Sequence, residues 1–118
     1  MDYVNPQFDI EWEEAMRYSE FRQVGKTEWI RIAQQGKVLD WSALREVGNV
    51  DTNLDNLEVD KRKRAEEAIA KGIVELPIVG RWPNGTMDLI GGNTRIAALL
   101  NEGYDPKVWV VNVSYATS

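Results

Sequence analysis

Residues 91–95, Gly-Gly-Asn-Thr-Arg, join a strand-like run, Met87-Asp88-Leu89-Ile90, to a helix-like one, Ile96-Ala97-Ala98-Leu99-Leu100. The chain must therefore turn sharply here and change periodicity within a few residues, which constrains the layers that can be built around it. Two glycines permit the turn and leave bare backbone N–H groups at the helix start. That end of a helix carries partial positive charge and attracts anions, phosphate above all. Arg95, a cation in the first turn, opposes the macrodipole by roughly 0.3–1 kcal/mol. An anion or a carboxylate between the guanidinium and the helix end offsets that cost. Gly91, Gly92, Asn93, Thr94 and Arg95 thus form a candidate anion site. The plain alternative is a glycine turn whose arginine pairs with a carboxylate such as Asp88.

The surrounding signals indicate an α+β domain, a small mixed sheet with flanking helices and a helical amino-terminal region. Residues 9–22 read as a helix with Trp12, Ala15, Met16 and Ser19 on one face and Glu11, Glu13 and Glu14 in its first turns. Thr27 is placed to cap a second helix stopped by Gly36, with Trp29, Ile32 and Ala33 inward. Asp40 is placed to cap a short third one over 41–47. Residues 48–59 alternate Asn and Asp with single aliphatics and read as a loop, a candidate hinge or lid. Asp60 opens a helix to about residue 71, closed by Gly72. Residues 73–82 read as a strand bent or placed at an edge by Pro77. Pro83-Asn84-Gly85-Thr86 suggests a type I′ hairpin turn. After the returning strand comes a helix over 93–101, a stop at Gly103 and an interior strand over 107–113. From residue 60 onward the order α-β-β-α-β suits α+β layering. The 118 residues are expected to form a single domain, with 1–55 as a helical extension and 60–113 as the core.

Composition removes several chemistries. The chain contains no cysteine and no histidine. Disulfides, thiolate nucleophiles and Cys- or His-based zinc sites are thereby excluded, as is the usual general base near neutral pH. What remains is carboxylates, Lys, Arg, Ser, Thr, Tyr or a hard cation such as magnesium. A net charge of −5 does not favour a broad electrostatic grip on DNA, although a local patch is compatible with it. No apolar run reaches membrane-spanning length and the amino terminus is not signal-like, so a cytoplasmic protein with no membrane association is expected.

Other constellations allow two readings each. Lys61-Arg62-Lys63-Arg64 is a dense basic cluster, either a phosphate contact or a solvated face with Arg62–Glu66 and Lys63–Glu67 pairs. Of the five tryptophans, Trp12, Trp29, Trp41 and Trp109 read as core, and Trp82 beside the hairpin as the one free to be exposed. Glu75 and Asp88 lie on strands converging on the glycine turn. Either is a candidate to accept a proton or to hold a metal ion, the alternative being an exposed strand position.

Residues 64–79, a helix, a Gly and then Pro77-Ile78-Val79, resemble the ParB amino-terminal domain pattern. Leu89-Ile90-Gly91-Gly92-Asn93-Thr94-Arg95-Ile96-Ala97-Ala98 resembles that family's Gly-x-x-Arg segment and following helix, shared across the ParB/sulfiredoxin superfamily. The Gly-Asn-Thr-Arg form looks like the small ParB-like proteins of bacteriophages, often labelled ParB-like nucleases. The resemblance spans roughly 50 residues, with motif order and spacing preserved. It implies a ParB/sulfiredoxin-like fold in which Gly92, Asn93, Thr94 and Arg95 hold nucleotide phosphates, with ATP or CTP and Mg2+ as expected cofactors. It also implies the cytoplasm of a host cell if the chain is phage-encoded. Departures prune the relatives' activities. Sulfiredoxin chemistry needs Cys and His where this chain has Asn93 and Thr94. Partition proteins usually carry Glu-Arg-Arg where this chain has Asn93-Thr94-Arg95, together with an upstream Pro-Arg box and a following DNA reader, so chromosome partitioning by this chain alone is not expected. The expected function is nucleotide or phosphate binding, with phosphoryl transfer or nucleotide hydrolysis as the reaction and Glu75 or Asp88 positioning the nucleophile. The alternatives are a non-catalytic phage module that binds a host protein, and a metal-dependent nuclease.

Overall fold

The structure, a computed structural model, describes residues 1–113. Its elements are β1 (Asp2–Val4), α1 (Phe8–Ala15), α2 (Ser19–Val24), α3 (Lys26–Ala33), β2 (Lys37–Asp40), β3 (Val47–Gly48), α4 (Val59–Lys71), β4 (Ile73–Glu75), β5 (Ile78–Arg81), β6 (Met87–Gly91), α5 (Asn93–Asn101) and β7 (Lys107–Asn112). The domain is mixed α+β. Five strands form one sheet in the order β2-β7-β5-β6-β3, and β1 and β4 form a separate parallel pair. Parallel β5–β7 and β3–β6 pairings alternate with antiparallel β2–β7 and β5–β6 ones.

Period-two alternation explains how the sheet is covered on both faces. Ile78, Ile90 and Val111 point toward α1–α3, where they pack with Ala15, Phe21, Trp29 and Ala33. Their sequence neighbours Val79, Leu89 and Val110 point the other way, onto Ile96 of α5 and the half-buried Leu39, Trp41, Leu44 and Val50. A third cluster ties α4 to α5 through Ala65, Ile69, Val74, Ala98 and Leu99. Strand β7 is interior, as its apolar run suggests, and α5 occupies the expected 93–101. No helix among the described residues is long and apolar enough to cross a membrane.

Several sequence expectations are corrected. The helix expected over 9–22 is two helices: the backbone turns extended at Tyr18 (φ −91°, ψ 128°), and the Arg22 guanidinium donates to the carbonyls of Met16 (3.1 Å) and Arg17 (3.0 Å) that the break frees. The first half is not wholly helical either: β1, β2 and β3 pair with β4, β7 and β6. Gly25 at φ 87°, not Thr27, is the N-cap of α3. Asp40 does stand at the N-cap position of a helix starting at Trp41, but that helix is a 3-10 turn ending at Ala43 rather than 47, and the Asp40 side chain makes no cap hydrogen bond, pairing instead with Lys107 at 2.9 Å. Glu58, not Asp60, precedes α4, while Gly72 closes that helix at φ 79° as expected. Pro77 splits residues 73–82 into β4 and β5. The hairpin is not type I′, since only Gly85 of its residues has positive φ. Proline fixes a negative φ at the first turn position, and the hydrogen bonds Gly85 N–H to Trp82 O (2.9 Å) and Trp82 N–H to Thr86 O (2.8 Å) give a turn with a glycine bulge.

Candidate functional site

The amino end of α5 opens into a cleft of about 870 Å3, a volume suited to a small-molecule ligand. Gly92 is the N-cap, in the left-handed region at φ 95°, and its Cα faces Pro77 so closely that an added Cβ would lie 2.7 Å from the proline Cβ. Glycine is thus required twice, for conformation and for space. The backbone N–H groups of Asn93, Thr94 and Arg95 have no partner among the described residues, whereas that of Ile96 returns to Gly92 O at 3.0 Å. The Thr94 hydroxyl, also in the cleft, is likewise unpartnered among the described residues. Such a first turn is a set of donors with a favourable dipole behind it.

Arg95 is held but not saturated. Its Nη1 donates to Glu75 O at 3.1 Å, and its guanidinium lies 3.7 Å from the Glu11 carboxylate and 3.8 Å from that of Glu75. The two carboxylate separations exceed hydrogen-bonding distance, so most of its five N–H donors stay uncommitted. The carboxylate partners of Arg95 are therefore Glu11 and Glu75, and the alternative pairing with Asp88 does not form. Burial pushes the Glu11 carboxyl above its ordinary range; Arg95 pulls it down, and Glu75 and Glu14 push it further up. Gly91 makes room for this carboxylate, since a Cβ there would meet Glu11 Oε2 at 2.5 Å.

The other sequence candidates separate. Glu75 lines the cleft, and one of its carboxylate oxygens also accepts from Gln7 N–H at 3.2 Å. Asp88 is occupied instead by the Trp82 indole N–H at 2.7 Å and by Asn49 Nδ2 at 3.3 Å. That bond also corrects the expectation for Trp82, which is buried (9 % exposed) and packs on Tyr18 and Phe21. Trp29 is fully buried, while Trp12, Trp41 and Trp109 are only half-buried. Asn93 spends its side chain on the loop: Nδ2 donates to Asp51 O (2.9 Å), and Oδ1 accepts from Asp51 N–H (2.7 Å). Only its backbone N–H is left without a partner among the described residues. Within the basic cluster Lys61 and Arg64 line the cleft, Arg62 pairs with Glu66 at 2.8 Å, and no Lys63–Glu67 pair forms.

Glu11, Glu14, Arg17, Tyr18 and Asn49 supply further polar and charged parts of the wall, beside an apolar part from α4, β4 and β6, and none of the five is marked as a cleft residue by the sequence. The Tyr18 hydroxyl donates to Leu89 O at 2.7 Å and accepts from Asn49 Nδ2 at 3.0 Å, fastening α2's entry and the 48–59 loop to β6. No local pattern marks these residues, because their place depends on how α1, α2 and the loop fold back on the sheet. No group of three or more carboxylates among the described residues is arranged to hold a metal ion. With Arg95 between Glu11 and Glu75, the residues do not suit a resident magnesium ion. No family model, curated protein or solved structure matches the chain.

Proposed function

We propose that this chain is a nucleotide-binding domain of ParB/sulfiredoxin type, holding the phosphates of ATP or CTP at the amino end of α5. The observation that carries the reading is the unpartnered first turn of α5, which opens into a cleft walled by Lys61 and Arg64. Backbone N–H groups of residues 93–95 supply oriented donors, the Thr94 hydroxyl adds one more, and Arg95 has N–H groups to spare. Lys61 and Arg64 add charge from α4 across the opening. The order from α4 through Gly72, Pro77, the hairpin and the glycine turn to α5 and β7 supports the fold assignment.

The chemistry that suits these groups is stabilisation of negative charge on a phosphoryl group that is transferred or hydrolysed. Glu75 is the carboxylate placed to orient a nucleophile. Asp88, committed to Trp82, is not. Any magnesium arrives with the nucleotide, as an ion carried by phosphate oxygens.

Isothermal titration with ATP, CTP, ADP and GTP tests the reading on the wild-type protein and on the double variant Lys61→Ala/Arg64→Ala. At least one nucleotide is expected to bind, and the double variant to bind it at least about tenfold more weakly, since each charge-assisted contact contributes ~1.5–3 kcal/mol. Both side chains are exposed, so their loss leaves the core intact. Absence of binding by every nucleotide, or binding indifferent to the pair, overturns the reading in favour of a module that engages a host or phage protein.

A further inference from the structure

Glu11 is the feature that nucleotide binding alone does not explain. It reaches from α1 across the last residue of β6 to within 3.7 Å of Arg95, with its side chain 13 % exposed. Gly91 lacks the Cβ that would collide with it. A carboxylate is thus built into the very place where an arginine would meet a phosphate. Resting on the phosphate-site reading, we propose that Glu11 is a built-in competitor of the ligand: its carboxylate offsets the Arg95 charge without occupying its N–H donors, and an entering phosphate competes with it for that charge.

The charged groups acting on Glu11 are Glu14 from its own helix, Glu75 from β4 and Arg95 from α5. Strand β6 meets it with Gly91, and α3 is fixed to α1 by the Trp29 indole N–H on Phe8 O, at 2.9 Å. Glu11 therefore sits with two carboxylates and a single cation around it. The pair with Arg95 is too long for a hydrogen bond, so it is readily exchanged. A phosphate that draws Arg95 away removes the one opposite charge and adds like charge nearby. The ionised form of Glu11 is then strongly disfavoured in a half-buried place. A proton from solvent moves onto its carboxyl oxygen as the phosphate binds. Burial already raises the affinity of that oxygen for a proton. By linkage, acidification tightens the grip on the ligand.

The test is isothermal titration of ATP and of CTP into wild-type protein, Glu11→Gln and Glu67→Gln, in two buffers of different ionisation enthalpy. Glu67 is exposed on α4 and outside the cleft, so its variant controls for the change in net charge. Glu11→Gln is expected to bind about five- to tenfold more tightly than wild type, and Glu67→Gln to match wild type. Wild type is expected to take up a fraction of a proton more than Glu11→Gln; the nucleotide's own protons are common to all three and cancel. Equal affinities and equal proton counts would overturn the competitor role while leaving nucleotide binding in place. No binding by any of the three proteins overturns the nucleotide reading and the competitor role with it. Should Glu11→Gln not fold, the wild-type proton count decides: no uptake beyond the nucleotide's own titration contradicts the proposal.

Discussion

At the scale of single residues, the two glycines of the turn do different work. Gly92 is in a backbone conformation that disfavours a side chain, whereas Gly91 is in a strand, and a side chain there would have to displace the Glu11 carboxylate that lies over it. Arg95 fits the first turn of α5 because Glu11 and Glu75 flank its charge, which lowers the cost of a cation at a helix amino terminus. Glu11 also gives the fold a pH dependence of definite sign. Its folded-state pKa is raised, by burial first, so the folded protein holds this proton more tightly than the unfolded chain does. Its stabilising contribution is complete below the ordinary glutamate pKa and is lost as pH rises through the raised folded value. Glu28, lowered by its hydrogen bond with Arg31, works in the opposite sense, and comparison with a variant isolates the Glu11 part. Urea unfolding over a pH series is expected to show Glu11→Gln gaining on wild type as pH rises through that range. Parallel curves would mean that Glu11 carries no such linkage.

At the scale of elements, the Asn93 side chain joins the 48–59 loop to α5 by two hydrogen bonds with the Asp51 backbone. Each is worth about 0.5–1.5 kcal/mol net. Asn93→Ala is therefore expected to lower stability by about 1–2 kcal/mol and to speed amide exchange at 49–53 by roughly tenfold, with β7 unchanged. Exchange in that loop equal to wild type would show that the latch is elsewhere. Elements with strong local punctuation are legible in the sequence: Gly72 and Gly103 stop their helices, and the 93–101 helix begins and ends where its pattern does. Strands β2 and β3 are not legible there. They are short edges whose register comes from partners far along the chain, Lys37 opposite Val110 and Val47 beside Met87. In the hairpin, Pro83 outweighs the Asn-Gly signal. The site divides in the same way. Residues 91–95 and Glu75 can be read from local sequence, but Glu11, Tyr18 and Asn49 cannot, because tertiary packing alone brings them there.

At the scale of the whole molecule, the cleft lies where three layers meet. Helices α1–α3 cover one face of the sheet, α5 the other, and α4 packs on α5 at the edge. Residues 1–55 are therefore part of the architecture, supplying both outer strands of the five-stranded sheet and one wall of the cleft. In this arrangement a helix end and a few cations gather at one opening, against a net charge of −5 overall, which is the basis on which the proposed anion site is compatible with an acidic chain. The most direct measurement is a 15N chemical-shift titration of the wild-type protein with ATP and CTP. The amides of Asn93, Thr94 and Arg95 are expected to shift most, with saturation, and those of the β2 edge to stay in place. Saturable shifts centred elsewhere, or none at 93–95 with either nucleotide, would contradict phosphate binding at the amino end of α5.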